Sequence, residues 1–220
     1  MGRMQLKKDP YNIIITGVGG QGNVLGSRVL SNMLVRKGYF ITLGETFGAS
    51  QRGGSVMSHV RVSKKSIWSP QIPKGRADLI IGLEPVETLR VLMIYGNHKV
   101  KVLANMRPIY PVGVIAGELD YPSLSDIKAS VKELSSTALF INATDEAIKL
   151  KNSILANIIM IGAASRMLEL PIGRENFKDI ILKSLPASKL DVNLKAFDKG
   201  ASIMGQLPGK RQRKISVGHP

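Results

Sequence analysis

Cysteine is absent from all 220 residues, which excludes disulfides, thiol catalysis and any cysteine-held iron–sulfur cluster within this chain. Histidine is nearly as scarce. His59, His98 and His219 lie far apart, carboxylates do not cluster, and no metal site is expected. Aromatic residues are only 5% of the chain, too few for a base-stacking surface, and no helix-turn-helix, zinc-finger or RNP-like pattern occurs. No apolar run approaches the ~20 residues of a membrane-spanning helix. The nearest, residues 154–164, is short and contains Asn157 and Gly162. No apolar core precedes Asp9-Pro10, so a signal peptide is not expected, and Leu6 stands where a myristoylation signal needs serine or threonine. A cytoplasmic protein is the expectation. Acidic residues are also few: 16 against 31 lysines and arginines, a net charge of +15. That balance suits polyanions, anionic cofactors or acidic protein partners. Part of it lies in a basic N-terminus, residues 1–10, and a basic tail, residues 206–220, both expected to be flexible.

What is present is organised around residues 11–36. Ile13, Ile14 and Ile15 form a β-branched run suited to a strand buried on both faces. Gly17-Val18-Gly19-Gly20-Gln21-Gly22 follows at once, and then an amphipathic pattern carried by Val24, Leu25, Val29, Leu30, Met33 and Leu34. Strand, glycine turn and helix in that order present unpaired N–H groups and a partial positive charge to an anion. A phosphate-bearing ligand and a purely structural turn both fit this pattern.

Further along, Gly38 is a candidate helix terminator and residues 39–43 read as a second strand ending at Gly44-Glu45. In a dinucleotide-binding fold an acidic residue at such a strand end would hold a ribose hydroxyl, so Glu45 is the residue on which an NAD reading depends. Residues 44–54 hold four glycines among small and polar side chains and read as a long functional loop, with Arg52 free to meet an anion or a partner carbonyl. Residues 55–63 alternate as a half-buried strand, Val56, Val60 and Val62 against Met57, His59 and Arg61, with an antiparallel partner expected at Ile67-Trp68. His59 reads as a hydrogen-bonding residue rather than a catalyst. Strands are expected at 77–82, 99–105 and 138–142, and helices at 86–95, 123–134, 152–168, 175–185 and 192–204. The helix at 152–168 is apolar nearly all round, as a helix buried between layers or at an interface would be. The expected fold is a three-layer, Rossmann-like α/β domain over residues 11–205, with a mostly parallel sheet and an antiparallel hairpin addition.

The glycine turn, together with Gly44-Glu45-Thr46-Phe47-Gly48-Ala49-Ser50-Gln51-Arg52-Gly53-Gly54 and His59-Val60-Arg61, resembles the γ-type subunit of 2-oxoacid:ferredoxin oxidoreductases. Within that family the likeness is to the β-subunit type of indolepyruvate:ferredoxin oxidoreductases. Ala77 to Pro85, Asn105, Pro108, Asn157, Gly162 and the stretch 193–200 extend the resemblance to about residues 11–205. It implies a complex that converts an aryl 2-oxoacid and coenzyme A to acyl-CoA and carbon dioxide while reducing ferredoxin. Thiamine diphosphate and iron–sulfur clusters would lie on a larger partner subunit, in keeping with the missing cysteines and with the missing Gly-Asp-Gly of a thiamine-diphosphate site. By the same resemblance, Gly17, Gly19, Gly20, Gln21 and Gly22 are the candidate coenzyme A phosphate turn or a structural turn. Glu45, Thr46, Ser50, Gln51, Arg52, Gly53 and Gly54 would face the partner subunit and the mouth of its active site. No catalytic residue is expected in this chain. Two rivals remain: a free-standing NAD(P)-dependent oxidoreductase using Gly17, Gly19, Gly22 and Glu45, and a basic nucleotide- or nucleic-acid-binding module suggested by charge alone.

Overall fold

A computed structural model describes residue 6 and residues 8–48, 54–168, 170 and 172–206. Strand β1 (Tyr11–Val18) is the centre of the sheet, and seven of its eight residues are buried. Its isoleucines divide between the two faces. Ile13 and Ile15 join one apolar core, while Ile14 joins the other. Helix α1 (Asn23–Val35) follows the glycine turn, and Gly38, with φ 80°, ends it in the left-handed region. Strands β2 (Phe40–Phe47), β3 (Ser55–Ser63), β4 (Leu79–Gly82), β5 (Lys101–Asn105) and β6 (Thr137–Ile141) complete a six-stranded sheet in the order β2-β3-β1-β4-β5-β6. β1, β4, β5 and β6 are parallel; β3 runs antiparallel to both β1 and β2.

Helix α2 (Pro85–Tyr95) starts with proline in its first turn and with Glu84 as cap, its carboxylate accepting the Glu87 N–H at 2.8 Å. With α4 (Leu124–Glu133), capped by Ser123, it covers the face that holds Ile14. On the opposite face lie α1, α5 (Ala143–Lys149), α6 (Ala156–Met167), α7 (Arg174–Ser184) and α8 (Leu190–Gln206). A short helix, α3 (Val112–Ile115), sits in the β5–α4 connection. The result is the three-layer α/β architecture that the pattern of strands and helices predicts.

Several details differ from the sequence expectation. The antiparallel partner of β3 is not Ile67-Trp68, which lies outside the strands; it is β2 on one side and β1 on the other. β2 does not stop at Gly44-Glu45 but continues through Phe47, Gly44 pairing with His59 and Phe47 with Val56. Central in the antiparallel part of the sheet, β3 is therefore buried on both faces rather than half-buried. The apolar stretch expected as one helix from 152 begins as a 3-10 turn, Ser153–Leu155, and only then becomes α6. Residues Lys8 and Asp9, placed by sequence in the N-terminal extension, contact the domain: Lys8 Nζ lies 2.7 Å from Asp78 Oδ1, and Asp9 Oδ2 accepts the Lys64 N–H at 3.1 Å. Among the described residues, no helix is long and apolar enough to cross a membrane.

Candidate functional site

Chain connectivity reverses between β1 and β4. β1 leads through α1 toward β2 on one side, whereas β4 leads through α2 to β5 on the other. In open α/β sheets the crevice beyond the carboxyl ends of the strands at such a reversal is where ligands bind. Gly19, Gly20 and Gln21 form one wall of this crevice and Leu83 the other.

Gln21 bridges the two. Its Oε1 accepts the Val18 N–H at 2.9 Å, and its Nε2 donates to the Leu83 carbonyl at 2.8 Å. The Leu83 carbonyl also accepts from Asn105 Nδ2 at 2.9 Å, so the ends of β1, β4 and β5 converge on one oxygen. Asn105 in turn holds Thr144 at the start of α5, donating to its Oγ1 (2.9 Å) and accepting its N–H (3.2 Å). At Gly17 an added Cβ would lie 2.5 Å from Gln21 Oε1 and 2.8 Å from Asn23 Oδ1, so any larger residue would displace the side chains that tie the turn. Gly22 is required twice over: its φ is +78°, and a Cβ would fall on the Asn157 amide, which donates to the Gly22 carbonyl at 3.1 Å. No side chain caps α1 at Gly22, and its first turn has no acidic residue, leaving the positive end of a 13-residue helix beside the crevice.

The crevice opens into a cavity of about 450 Å³ lined by Gly19, Gly20, Gln21, Leu83, Arg107, Pro108, Ile109, Thr144, Ile148, Ser153, Ile154 and Ala156. Its wall is apolar along Leu83, Ile109, Ile148 and Ile154 and polar at the glycine turn. Arg107 supplies positive charge on the far rim, where its Nη1 lies 3.8 Å from Asp145 Oδ1, both side chains half exposed. Beneath the rim is Glu84, 1% exposed. Its Oε1 accepts the Tyr121 hydroxyl and, at 3.5 Å, the Ile109 N–H. Burial pushes the Glu84 carboxyl above the ordinary carboxylate range, against the lowering effect of those hydrogen bonds. Tyr121, desolvated beside that carboxylate, has its hydroxyl pushed far up and keeps its proton. No histidine or carboxylate is among the described residues that line the cavity.

The two glycine segments singled out in the sequence meet. The Gly19 N–H donates to the Gly54 carbonyl at 2.8 Å, and Gly48 N–H bonds the Ser55 carbonyl at 2.7 Å at the end of the β2–β3 hairpin. Gly19, Gly20 and Gln21 line the cavity; Gly17 and Gly22 support the turn from behind. Ser50, Gln51, Arg52 and Gly53 lie outside the described residues. Glu45 and Thr46 are not loop residues but members of β2, opposite Ser58 and Met57. Glu45 is 3.6 Å from Arg28 Nε of α1. Antiparallel β3 separates β2 from β1, so Glu45 does not occupy the strand end next to β1 that holds a ribose in dinucleotide-binding folds. His59 is buried rather than on a polar surface. Its Nδ1 accepts the Ile72 N–H at 3.3 Å, its ring meets Tyr95 edge-on, and burial and nearby Arg61 hold its pKa below the ordinary value. Sequence reading missed the rest of the cavity wall, because Arg107, Ile109, Thr144, Ile148 and Ile154 come from separate connections at the sheet's carboxyl end.

Fold and cavity define a Rossmann-like α/β domain with an open cavity at its topological switch point. Residues 12–203 match the pyruvate ferredoxin/flavodoxin oxidoreductase family, and the chain belongs to that family. It is 41% identical over 201 residues to the indolepyruvate oxidoreductase subunit IorB of Pyrococcus horikoshii, covering 90% of this chain and 97% of that one. In fold it is similar to the pyruvate oxidoreductase subunit PORC of Thermotoga maritima, with a TM-score of 0.67 at 17% identity over 89% of this chain and 97% of that one. It is also similar to part of the 2-oxoglutarate:ferredoxin oxidoreductase of Magnetococcus marinus, solved with 2-oxoglutarate, coenzyme A and succinyl-CoA bound. There the TM-score is 0.68 at 20% identity, and the match covers 91% of this chain and 32% of that one.

Proposed function

We infer that this chain is the small subunit of a cytoplasmic 2-oxoacid:ferredoxin oxidoreductase acting on indolepyruvate or related aryl-pyruvates. The complex converts the oxoacid and coenzyme A to acyl-CoA and carbon dioxide and passes two electrons to ferredoxin. Thiamine diphosphate and the iron–sulfur clusters belong to a larger partner subunit. The residues of this chain do not fit those groups: it has no thiol to ligate iron and no Gly-Asp-Gly to begin a thiamine-diphosphate site. Its own part is to shape the coenzyme A side of the active site, and it is inactive alone. The segment containing Ser50, Gln51, Arg52, Gly53 and Gly54 faces the partner and the mouth of the catalytic cavity.

The observation that carries this reading is the cavity at the switch point. An uncapped helix start and Arg107 supply positive charge on opposite sides, and the apolar run Ile109, Ile148 and Ile154 suits the uncharged arm of coenzyme A. A competing account makes the turn structural, since the Val18 and Gly19 N–H groups are already engaged by Gln21 and Gly54. Arg107→Ala in the assembled complex separates the two. Loss of one charge-assisted contact, about 1.4 kcal/mol, raises KM for coenzyme A about tenfold while KM for the oxoacid stays unchanged. An unchanged coenzyme A dependence refutes the proposal for this cavity.

A further inference from the structure

Residues 106–123, which connect β5 to α4, carry apolar side chains that face solvent. Val112 is 81% exposed, Ile115 74% and Leu119 64%, with Tyr110 and Ile109 also exposed. Helix α3 buries none of its residues. Scattered surface leucines or valines are ordinary, but five large apolar side chains within eleven residues are not.

Nor is the segment slack. The Glu118 and Leu119 N–H groups both donate to the Gly113 carbonyl, at 2.8 and 3.1 Å, and the Val114 and Ile115 N–H groups to the Pro111 carbonyl, at 3.0 and 3.1 Å. Its two feet stand on one buried carboxylate, the Ile109 N–H and the Tyr121 hydroxyl both reaching Glu84 Oε1. Tyr110 packs edge-on against Tyr121 with ring centroids 5.0 Å apart. The outcome is a prefolded knob with an apolar outer surface. Topology puts it at the carboxyl end of the sheet, where β5 ends and α4 begins. Across the cavity, half-exposed Ile148 and Ile154 continue the apolar surface.

We propose that this knob, with Ile148 and Ile154, is the surface on which the larger catalytic subunit docks, and that Glu84 is the positioning residue that holds it in shape. The proposal rests on the functional reading above and deepens it by naming the face. The exposed area of the seven side chains is on the order of 800 Å², the share one partner contributes to a standard-sized interface, and since Ile109, Ile148 and Ile154 also line the cavity, part of that area is shared with its mouth. Charge selects among occupants. From Pro108 to Tyr121 there is no lysine or arginine, only Glu118 and Asp120, in a chain of net charge +15. An acidic ferredoxin or a nucleic acid would choose the basic surfaces instead, and a second copy of this chain would bring fifteen more positive charges. An apolar face of this size fits a permanent subunit, and one docked here closes over the cavity rim.

The test co-expresses the chain with its larger subunit. Val112→Asp combined with Ile115→Asp changes two highly exposed side chains and leaves the melting temperature of the isolated chain within error. Association with the larger subunit, measured by biolayer interferometry, weakens at least a hundredfold. Val35→Asp, at the opposite end of α1 and 52% exposed, leaves association unchanged. Tyr121→Phe, which removes one foot without touching the surface, weakens association several-fold and speeds amide hydrogen exchange across residues 109–119. Equal binding by the double variant and the wild type overturns the assignment alone. So does a wild-type dimer of this chain that the double variant abolishes. A wild-type chain that binds no larger subunit overturns the functional reading and this assignment with it.

Discussion

Replacing Gly200 by alanine puts a methyl group into the seam between α6 and α8. The new Cβ would lie 1.9 Å from the Ile159 carbonyl oxygen and 2.8 Å from the Ala163 nitrogen. Across the same crossing, a Cβ on Gly162 would lie 2.1 Å from the Phe197 carbonyl oxygen. All of these neighbours are backbone atoms of regular helices, so no side chain can swing aside. Restoring an ordinary contact of about 3.4 Å requires the helices to part by about 1.5 Å, and a gap of even about 0.5–1 Å forfeits a quarter to a half of the dispersion energy along the seam. Overpacking costs about 1–3 kcal/mol, and alanine returns up to about 1 kcal/mol of helix propensity. Since α6 is buried on nearly every side and cannot relax outward, the cost lies at the upper end. A net loss of about 2 kcal/mol is expected, which lowers the melting temperature of a chain this size by about 4–8 °C. Gly205→Ala is the control. It lies in α8 with nothing within 4 Å of the added methyl, and its stability should equal or exceed that of the wild type. Urea titration followed by far-UV circular dichroism measures all three proteins. A Gly200→Ala variant within about 0.5 kcal/mol of Gly205→Ala would refute the close-packed seam. The perturbation also reaches the site, because α6 carries Asn157 against Gly22.

Gln21→Glu keeps an acceptor for the Val18 N–H but sets a carboxylate against the Leu83 carbonyl and adds negative charge beside the glycine turn; KM for coenzyme A in the assembled complex should rise at least about tenfold with the chain still folded. An unchanged KM would mean that no anion sits there. Glu84 gives a signed pH dependence: its carboxyl titrates above the ordinary range when folded, so the stability it contributes at low pH is lost as pH rises from the ordinary carboxylate range through the raised value. Chemical denaturation of wild type and Glu84→Gln across that window should show their stability difference moving toward the wild type on acidification, and parallel curves would contradict the raised pKa.

Much of the scaffold was legible because its signals are local. Three successive isoleucines mark a strand buried on both faces, and Pro85, Ser123 and Gly38 mark helix boundaries by backbone chemistry that tertiary context does not override. The misreadings share a different cause. Gly44, Glu45 and Thr46 look like a turn by residue type, yet β3 pairs with them and draws them into a strand, a choice made by a neighbour eleven or more residues away. Alternation in β3 suggested one wet face, but His59 and Arg61 are both buried, and His59 Nδ1 accepts the Ile72 N–H. Arg61 donates to Asn12 Oδ1 and to the Ser69 and Gln71 carbonyls, and its guanidinium lies 5.1 Å from the centre of the Trp68 ring. At the site, the glycine turn was visible as a motif, while the far wall was not. Arg107, Thr144 and Ile154 are unremarkable one by one and acquire a common purpose only when the parallel strands bring their carboxyl ends together.

That geometry also explains why a domain with a dinucleotide-type turn need not bind a dinucleotide. In such folds the first strand's parallel neighbour carries the acidic residue that takes the ribose. Here antiparallel β3 occupies that place, its hairpin with β2 returns Gly54 onto the Gly19 N–H, and the side of the turn facing the hairpin is closed by protein. What stays open is the side facing Leu83, Arg107 and Ile154. A ligand there lies across the ends of β4 and β5 rather than along β2, directly beside the knob at residues 109–119. With β3 between β1 and β2, the open side of the cavity and the apolar knob therefore lie next to each other at the carboxyl end of the sheet.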